Sequence, residues 1–287
     1  MTTYDLEEDE EERVKELDLD SEADEKSIVR AKRRLRPGMR SEELFNWPIE
    51  EYWKKQGLLA NQEYIQEMIR KNPKNVVDIL ALPKYQDNTF TDKMQWLYEH
   101  FRQFFTDISQ FLVHLQHDKG NIYVIKINKT IQVCNKRNCP KMQATEKFRY
   151  RCAAHAKPKD CSAMSYAVHT IDDFSKKFQN KKEFPSRYGN KISQESMKQF
   201  NECARRVYRI FAHAYHHHEE EFTKYEDEYW LCSRFITFVY MYKLIPISHL
   251  EAEAQIPPKA LLKLSTKEWA HKVGDVVTAK NYNDENT

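Results

Sequence analysis

Residues 203–218 read CARRVYRIFAHAYHHH, and the rest of the chain can be read outward from that stretch. At about 100° per residue, Phe200, Cys203, Val207, Ile210, Phe211 and Ala214 fall on one apolar stripe of a helix. Arg205, Arg206, Arg209 and His213 fall roughly opposite. One side is built for burial. The other carries three guanidinium groups and runs into a histidine cluster, so a metal site and an anion site can both start on this helix. The pattern predicts a helix from 193 to about 221, with Ser193 and Ser196 as candidate N-caps. A second apolar pattern over 225–244 turns Trp230, Leu231, Phe235, Phe238, Val239 and Tyr242 inward. The short connection between the two predicts an antiparallel pair.

Helices are predicted over 61–71, 76–82, 91–116 and 165–178, the second stopped by Pro83. The helix over 91–116 is the longest, and Trp96, Leu97, Phe101, Phe104, Phe105, Ile108, Phe111, Leu112 and Leu115 give it the wide apolar face of a core helix. Ile125, Ile127, Ile131 and Val133 alternate within 122–133, which predicts a strand or hairpin arm, and 145–152 (TEKFRYRC) is a second strand candidate. The fold class is therefore mainly α, a helical bundle with a small β-hairpin region. With 40% hydrophobic and 13% aromatic residues the chain can bury a substantial core, and only 5 Gly and 10 Pro speak against a turn-rich β-sandwich.

The net charge of +2 hides an asymmetry, because residues 1–26 hold thirteen Asp/Glu against three Lys/Arg and leave +12 on the rest. Residues 1–28 read as an acidic disordered tail that leads into the basic run RAKRRLR at 30–36, and the division from the body of the chain is placed after residue 32. A basic body can attract nucleic acid, anionic lipid or phosphorylated protein. No long apolar run predicts membrane insertion, and no aromatic stacking motif or groove-reading module supports nucleic acid. The six scattered cysteines and the lack of a signal peptide predict a reducing, cytoplasmic setting with thiols or metal ligands rather than disulfides.

Cys134 and Cys139 have four residues between them, as do His213 and His218. Both spacings suit a structural Cys₂His₂ zinc site, although 73 residues separate the pairs. Lys136 and Arg137 would favour the thiolates. In an ideal helix His213 shares a face with His217, whereas His218 lies about 140° away and needs the helix to end or distort. Cys152 and Cys161 are alternative thiols whose plainer reading is loop packing, and Cys203 and Cys232 read as small buried residues. Catalysis is disfavoured. His218-Glu219-Glu220-Glu221-Phe222 lacks the second histidine of a zinc hydrolase helix, four protein ligands would close the site, and there is no glycine-rich phosphate loop. Arg205, Arg206 and Arg209 can converge on one phosphate. The plain alternative is that Arg206 pairs with Glu202 and the rest is solvated.

At these residues the chain resembles the Mob/phocein family of kinase-associated adaptors, most closely its phocein branch. The resemblance runs from about Arg33 to Leu250 through RRLRPGMRSEELFNWP, WLYEHFRQFF, CNKRNCPKMQATEKFRYRCAAH, KPKDCSAMSY, FPSR, RRVYRIFAHAYHHH and YEDEYWLCSRF. It implies a zinc-binding domain over 33–250 around a four-helix bundle. One structural zinc would sit on Cys134, Cys139, His213 and His218, with phosphopeptide-binding positions at Arg205, Arg206 and Arg209. Residues 121–133 look inserted, and 251–287 form a lysine-rich extension. Family members that activate nuclear-Dbf-type kinases carry acidic residues just before the tryptophan equivalent to Trp96. Here Gln95 and Thr91 stand at those places. That favours a striatin-associated adaptor, partnered by protein kinases, striatin-like phosphatase regulatory proteins and phosphorylated peptides. The alternatives are a co-activator of a nuclear-Dbf-type kinase and a nucleic-acid-binding basic domain.

Overall fold

The computed structural model describes residues 51–55, 57–85, 91–116, 134–185 and 191–246, with 249 and 256. The acidic tail, the basic run, the hairpin arm and insertion at 121–133 and the lysine-rich extension lie outside the described residues. The α-helices are α1 (Ala60–Lys71), α2 (Val76–Leu80), α3 (Lys93–Gln116), α4 (Ala163–Phe178), α5 (Met197–His217), α6 (Glu219–Tyr229) and α7 (Leu231–Met241). No helix among the described residues is long and apolar enough to cross a membrane.

The breadth of its apolar face puts α3 in the middle. It packs on α1, α4, α6 and α7, while α5 packs on α4, α6 and α7. Asp92 starts α3 by accepting the Gln95 N–H at 2.9 Å. Phe101 then stacks on Phe200 of α5 at 5.3 Å and meets Phe238 of α7 edge-on. The short α2 docks on α7 through its last carbonyl. Trp96 Nε1 and Tyr242 OH both donate to Leu80 O, at 3.1 and 2.6 Å, which satisfies an acceptor the helix end cannot.

Three local readings are corrected. The side chains of Ser193 and Ser196 do not cap α5. A 3-10 turn over Gln194–Ser196 leads into the helix, and Ser196 Oγ donates instead to Glu183 O at 2.7 Å. The predicted second strand is not a strand. Residues 143–159 carry only the isolated bridges Gln143–Arg149 and Cys152–Lys159, because the chain turns back at once, with Phe148 N donating to Thr145 O and Ala144 N to Phe148 O. Finally, the helix pair is a trio. The first helix stops at His218, and its partner is split at Trp230, whose φ of 51° is left-handed. Trp230 is buried at this break. Glu226 receives the freed amides of α7, accepting Cys232 N and Ser233 N at 2.8 Å each.

Candidate metal centre

Cys134, Cys139, His213 and His218 converge, with one ligand atom from each lying within 4.8 Å of all the others. Cys134 enters from the end of α3, where its N–H donates to Leu115 O at 3.0 Å. Asn135 then folds the loop. Its Oδ1 accepts Arg137 N and Asn138 N at 2.8 and 2.9 Å, and its carbonyl accepts Cys139 N at 2.8 Å. This side-chain-supported turn brings both sulfurs to one side.

The histidines come from the other end of the chain. His213 sits on α5, where its Nδ1 lies 2.8 Å from Gln143 O. A carbonyl can only accept, so Nδ1 carries the proton and Nε2 faces Cys134 Sγ at 3.6 Å. His218 ends α5 with φ −141° and ψ 49°. That departure from helical geometry removes the 140° mismatch and places its Nε2 3.3 Å from Cys139 Sγ. The edges of a tetrahedral zinc site with sulfur and nitrogen ligands span about 3.3–3.8 Å, so the separations fit. His217 is not in the group. It stacks on His213 with ring centroids 4.7 Å apart.

The four side chains are buried, and the donor set suits a borderline-soft ion. The Cys134 thiol, hydrogen bonded to Cys139, lowers the Cys139 pKa, and His213 and His218 add to it. The same bond and burial push Cys134 up. Lys136 and Arg137, offered by the sequence as the source of thiolate character, are exposed. The charge is organised within the buried group.

The arginines occupy the neighbouring stretch of α5. Arg206 is clamped by Asp173 Oδ2 of α4 at 3.1 Å and by Glu202. Arg209 Nη1 reaches Tyr166 OH at 3.3 Å, with its guanidinium 4.6 Å from the centre of the Tyr150 ring. Arg205 is half-buried on the same helix. The Glu202–Arg206 pair of the plain alternative forms, and Asp173 joins it from a helix that sequence spacing could not connect.

Cys152 and Cys161 stay away from this centre. They meet His155 and His169, two histidines the sequence reading passed over. The signal was there: all four fall within the 18 residues CAAHAKPKDCSAMSYAVH at 152–169.

The family model described as Mob1/phocein matches residues 66–253. The chain is 38% identical to MOB kinase activator-like 4 of Drosophila melanogaster over 218 residues, which is 76% of this chain and 88% of that protein. It is 36% identical to the MOB-like protein phocein of Caenorhabditis elegans over 221 residues, 77% and 89% of the two. To the maintenance of ploidy protein mob1 of Schizosaccharomyces pombe it is 25% identical over 169 residues, 58% and 71%. With the helical core, the cysteine loop and the broken helix at His218 all falling within the matched residues, the chain belongs to the Mob1/phocein family.

Proposed function

We propose that this chain is a non-catalytic adaptor of kinase and phosphatase signalling assemblies of the striatin type. The observation that carries the reading is the likeness, along about three quarters of the chain, to a MOB kinase activator-like protein and a MOB-like phocein. In this reading Cys134, Cys139, His213 and His218 hold one zinc ion. Four protein ligands close its coordination, so the ion supplies a tether and no reactive position. The tether joins the cysteine loop at the end of α3 to the end of α5.

Arg205, Arg206 and Arg209 form the docking face for a phosphorylated peptide. Asp173 and Tyr166 support this by holding two of the guanidinium groups in place before a ligand arrives. A phosphate must then share Arg206 with Asp173 and Glu202, which favours a doubly charged phosphoryl group over a carboxylate.

The rival reading, co-activation of a nuclear-Dbf-type kinase, is disfavoured by the use of Thr91. Its side chain is buried, with Oγ1 2.8 Å from Tyr52 OH. Tyr52 OH also lies 2.6 Å from Asn61 Oδ1, so this position belongs to an internal network rather than to an acidic surface.

Affinity capture from cell extract with the full chain as bait tests the assignment. A striatin-like phosphatase regulatory protein together with a protein kinase is the expected bound set. Capture of a nuclear-Dbf-type kinase without a striatin-like protein, with kinase activity rising on addition of the chain, moves the assignment to the rival. Steeply salt-dependent binding to duplex or RNA moves it to nucleic acid.

A further inference from the structure

We propose that Cys152, His155, Cys161 and His169 form a second metal centre, which takes zinc. The spacing is C-x₂-H-x₅-C-x₇-H. The first three ligands lie on a tight loop and the fourth on α4. The loop is closed by Cys152 N donating to Lys159 O at 2.8 Å and Lys159 N to Cys152 O at 3.2 Å. Arg149–Asp160 and Arg151–Pro158 O contacts stitch its two sides.

The ligand atoms are Cys152 Sγ, Cys161 Sγ, His155 Nε2 and His169 Nδ1. His155 Nε2 is 3.1 Å from Cys161 Sγ. His169 Nδ1 is 3.7 Å from both sulfurs. A hydrogen bond would draw that nitrogen towards one sulfur. An ion in the middle holds it equidistant, and about 3.3–3.8 Å is the edge of a zinc tetrahedron with these ligands. The two imidazole rings stand at 88° to each other with centroids 4.9 Å apart, as rings pointing at a common centre do. Both cysteines are buried free thiols.

A second observation is independent of those distances. Residues 153, 154, 156 and 157–160 are all exposed, so the loop folds back with no apolar core of its own. With two backbone hydrogen bonds and two surface arginine contacts as its other ties, such a segment is held in one conformation far more firmly by a metal cross-link. The consequence reaches α5. Tyr150 lies two positions before Cys152, and Tyr166 lies between Cys161 and His169. These are the two tyrosines that hold Arg209, so the second centre fixes one wall of the arginine face.

The test is zinc content of the full chain, purified with thiols kept reduced, by elemental analysis and native mass spectrometry. Wild type should carry one zinc more than Cys152→Ser/Cys161→Ser and one more than His155→Ala/His169→Ala, with far-UV circular dichroism showing the helices retained. The difference of one equivalent reads this centre alone, whatever the Cys134 centre holds. His155→Gln, a change on the half-exposed loop, serves if the double variants do not fold. It should release zinc to a chelator at least tenfold faster and open the loop to tryptic cleavage after Lys159. Equal zinc content in wild type and variants, unchanged release and cleavage in His155→Gln, or a Cys152–Cys161 disulfide in place of the metal would each overturn the assignment.

Discussion

His218 Nε2 lies 3.3 Å from Cys139 Sγ although 79 positions separate the two residues. The contact exists because α5 ends one residue before His218, and it sets His218 apart from His217, which stacks on His213 instead. His218→Ala should lower the metal content by one equivalent and the melting temperature by roughly 10 °C, since structural zinc is folding free energy. His217→Ala should keep the metal and cost the stacking on His213 and the hydrogen bond to the Ala144 backbone. Elemental analysis with thermal melts of both variants checks this. Equal metal loss in the two would contradict the geometry.

The arginine face separates binding from stability. Arg205→Ala/Arg209→Ala should weaken binding of a phosphopeptide about tenfold or more, the worth of a charge-assisted pair, while the protein stays folded. Arg206→Ala should weaken binding and also cost about 1 kcal/mol, because it releases the partly exposed Asp173 and Glu202. Fluorescence anisotropy with matched phosphorylated and unphosphorylated peptides is the measurement. Equal affinities for the two peptides would remove phosphate recognition from this face.

His100 behaves as a core aromatic. It is 1% exposed, edge-on to Trp96 at 4.6 Å and against Phe238 at 5.3 Å. Burial, and then the charge of Arg234, hold its pKa well below the usual histidine value. The unfolded chain therefore binds a proton near pH 6.5 that the folded chain refuses. Its contribution to stability is complete above about pH 6.5 and falls by about 1.4 kcal/mol per unit below it. His100→Phe should reduce the loss of stability between pH 7 and 5.5 by about that amount. Urea titrations at the two pH values decide it, and an unaltered pH dependence would count against a neutral buried ring.

Glu226 is 4% exposed and receives two amides at the start of α7. Glu226→Ala strands both donors at a helix N-terminus and should cost about 2–4 kcal/mol. Glu226→Gln, which keeps one acceptor, should cost about half as much. Chemical denaturation of the three proteins gives the comparison, and a neutral Glu226→Ala would mean that water replaces the carboxylate.

Much of this was legible in the chain. The helices over 60–71, 76–80, 93–116 and 163–178 fall where apolar periodicity predicts them, to within about two residues. Every residue that the apolar pattern of α3 selects is buried, and Met94, Tyr98, Glu99 and His100 are buried with them. The break at Trp230 leaves no sign in the pattern, and the one at His218 is indicated only by the need to turn that residue towards the cysteines, since the predicted helix runs on to about 221. Periodicity reports which side of a helix is apolar and is nearly blind to a single residue leaving helical geometry, because the stripe resumes beyond it. The second thiol–imidazole group escaped for another reason. The sequence offers Cys152 and Cys161 only as alternative thiols for the first group, with packing as the plainer reading, and His155 and His169 lie on no apolar pattern.

By itself the sequence determined which residues form helices, which faces are buried, and that two thiols and a histidine run stand at metal-ligand spacing, since these follow from local periodicity and side-chain chemistry. The resemblance already pointed to His218 rather than His217, but only the tertiary structure decided how His218 turns to the cysteines, that Asp173 shares Arg206, and that Cys152 and Cys161 meet His155 and His169. Those outcomes depend on where helices end and how separate segments pack, and a contact between distant residues leaves no mark on the spacing of either.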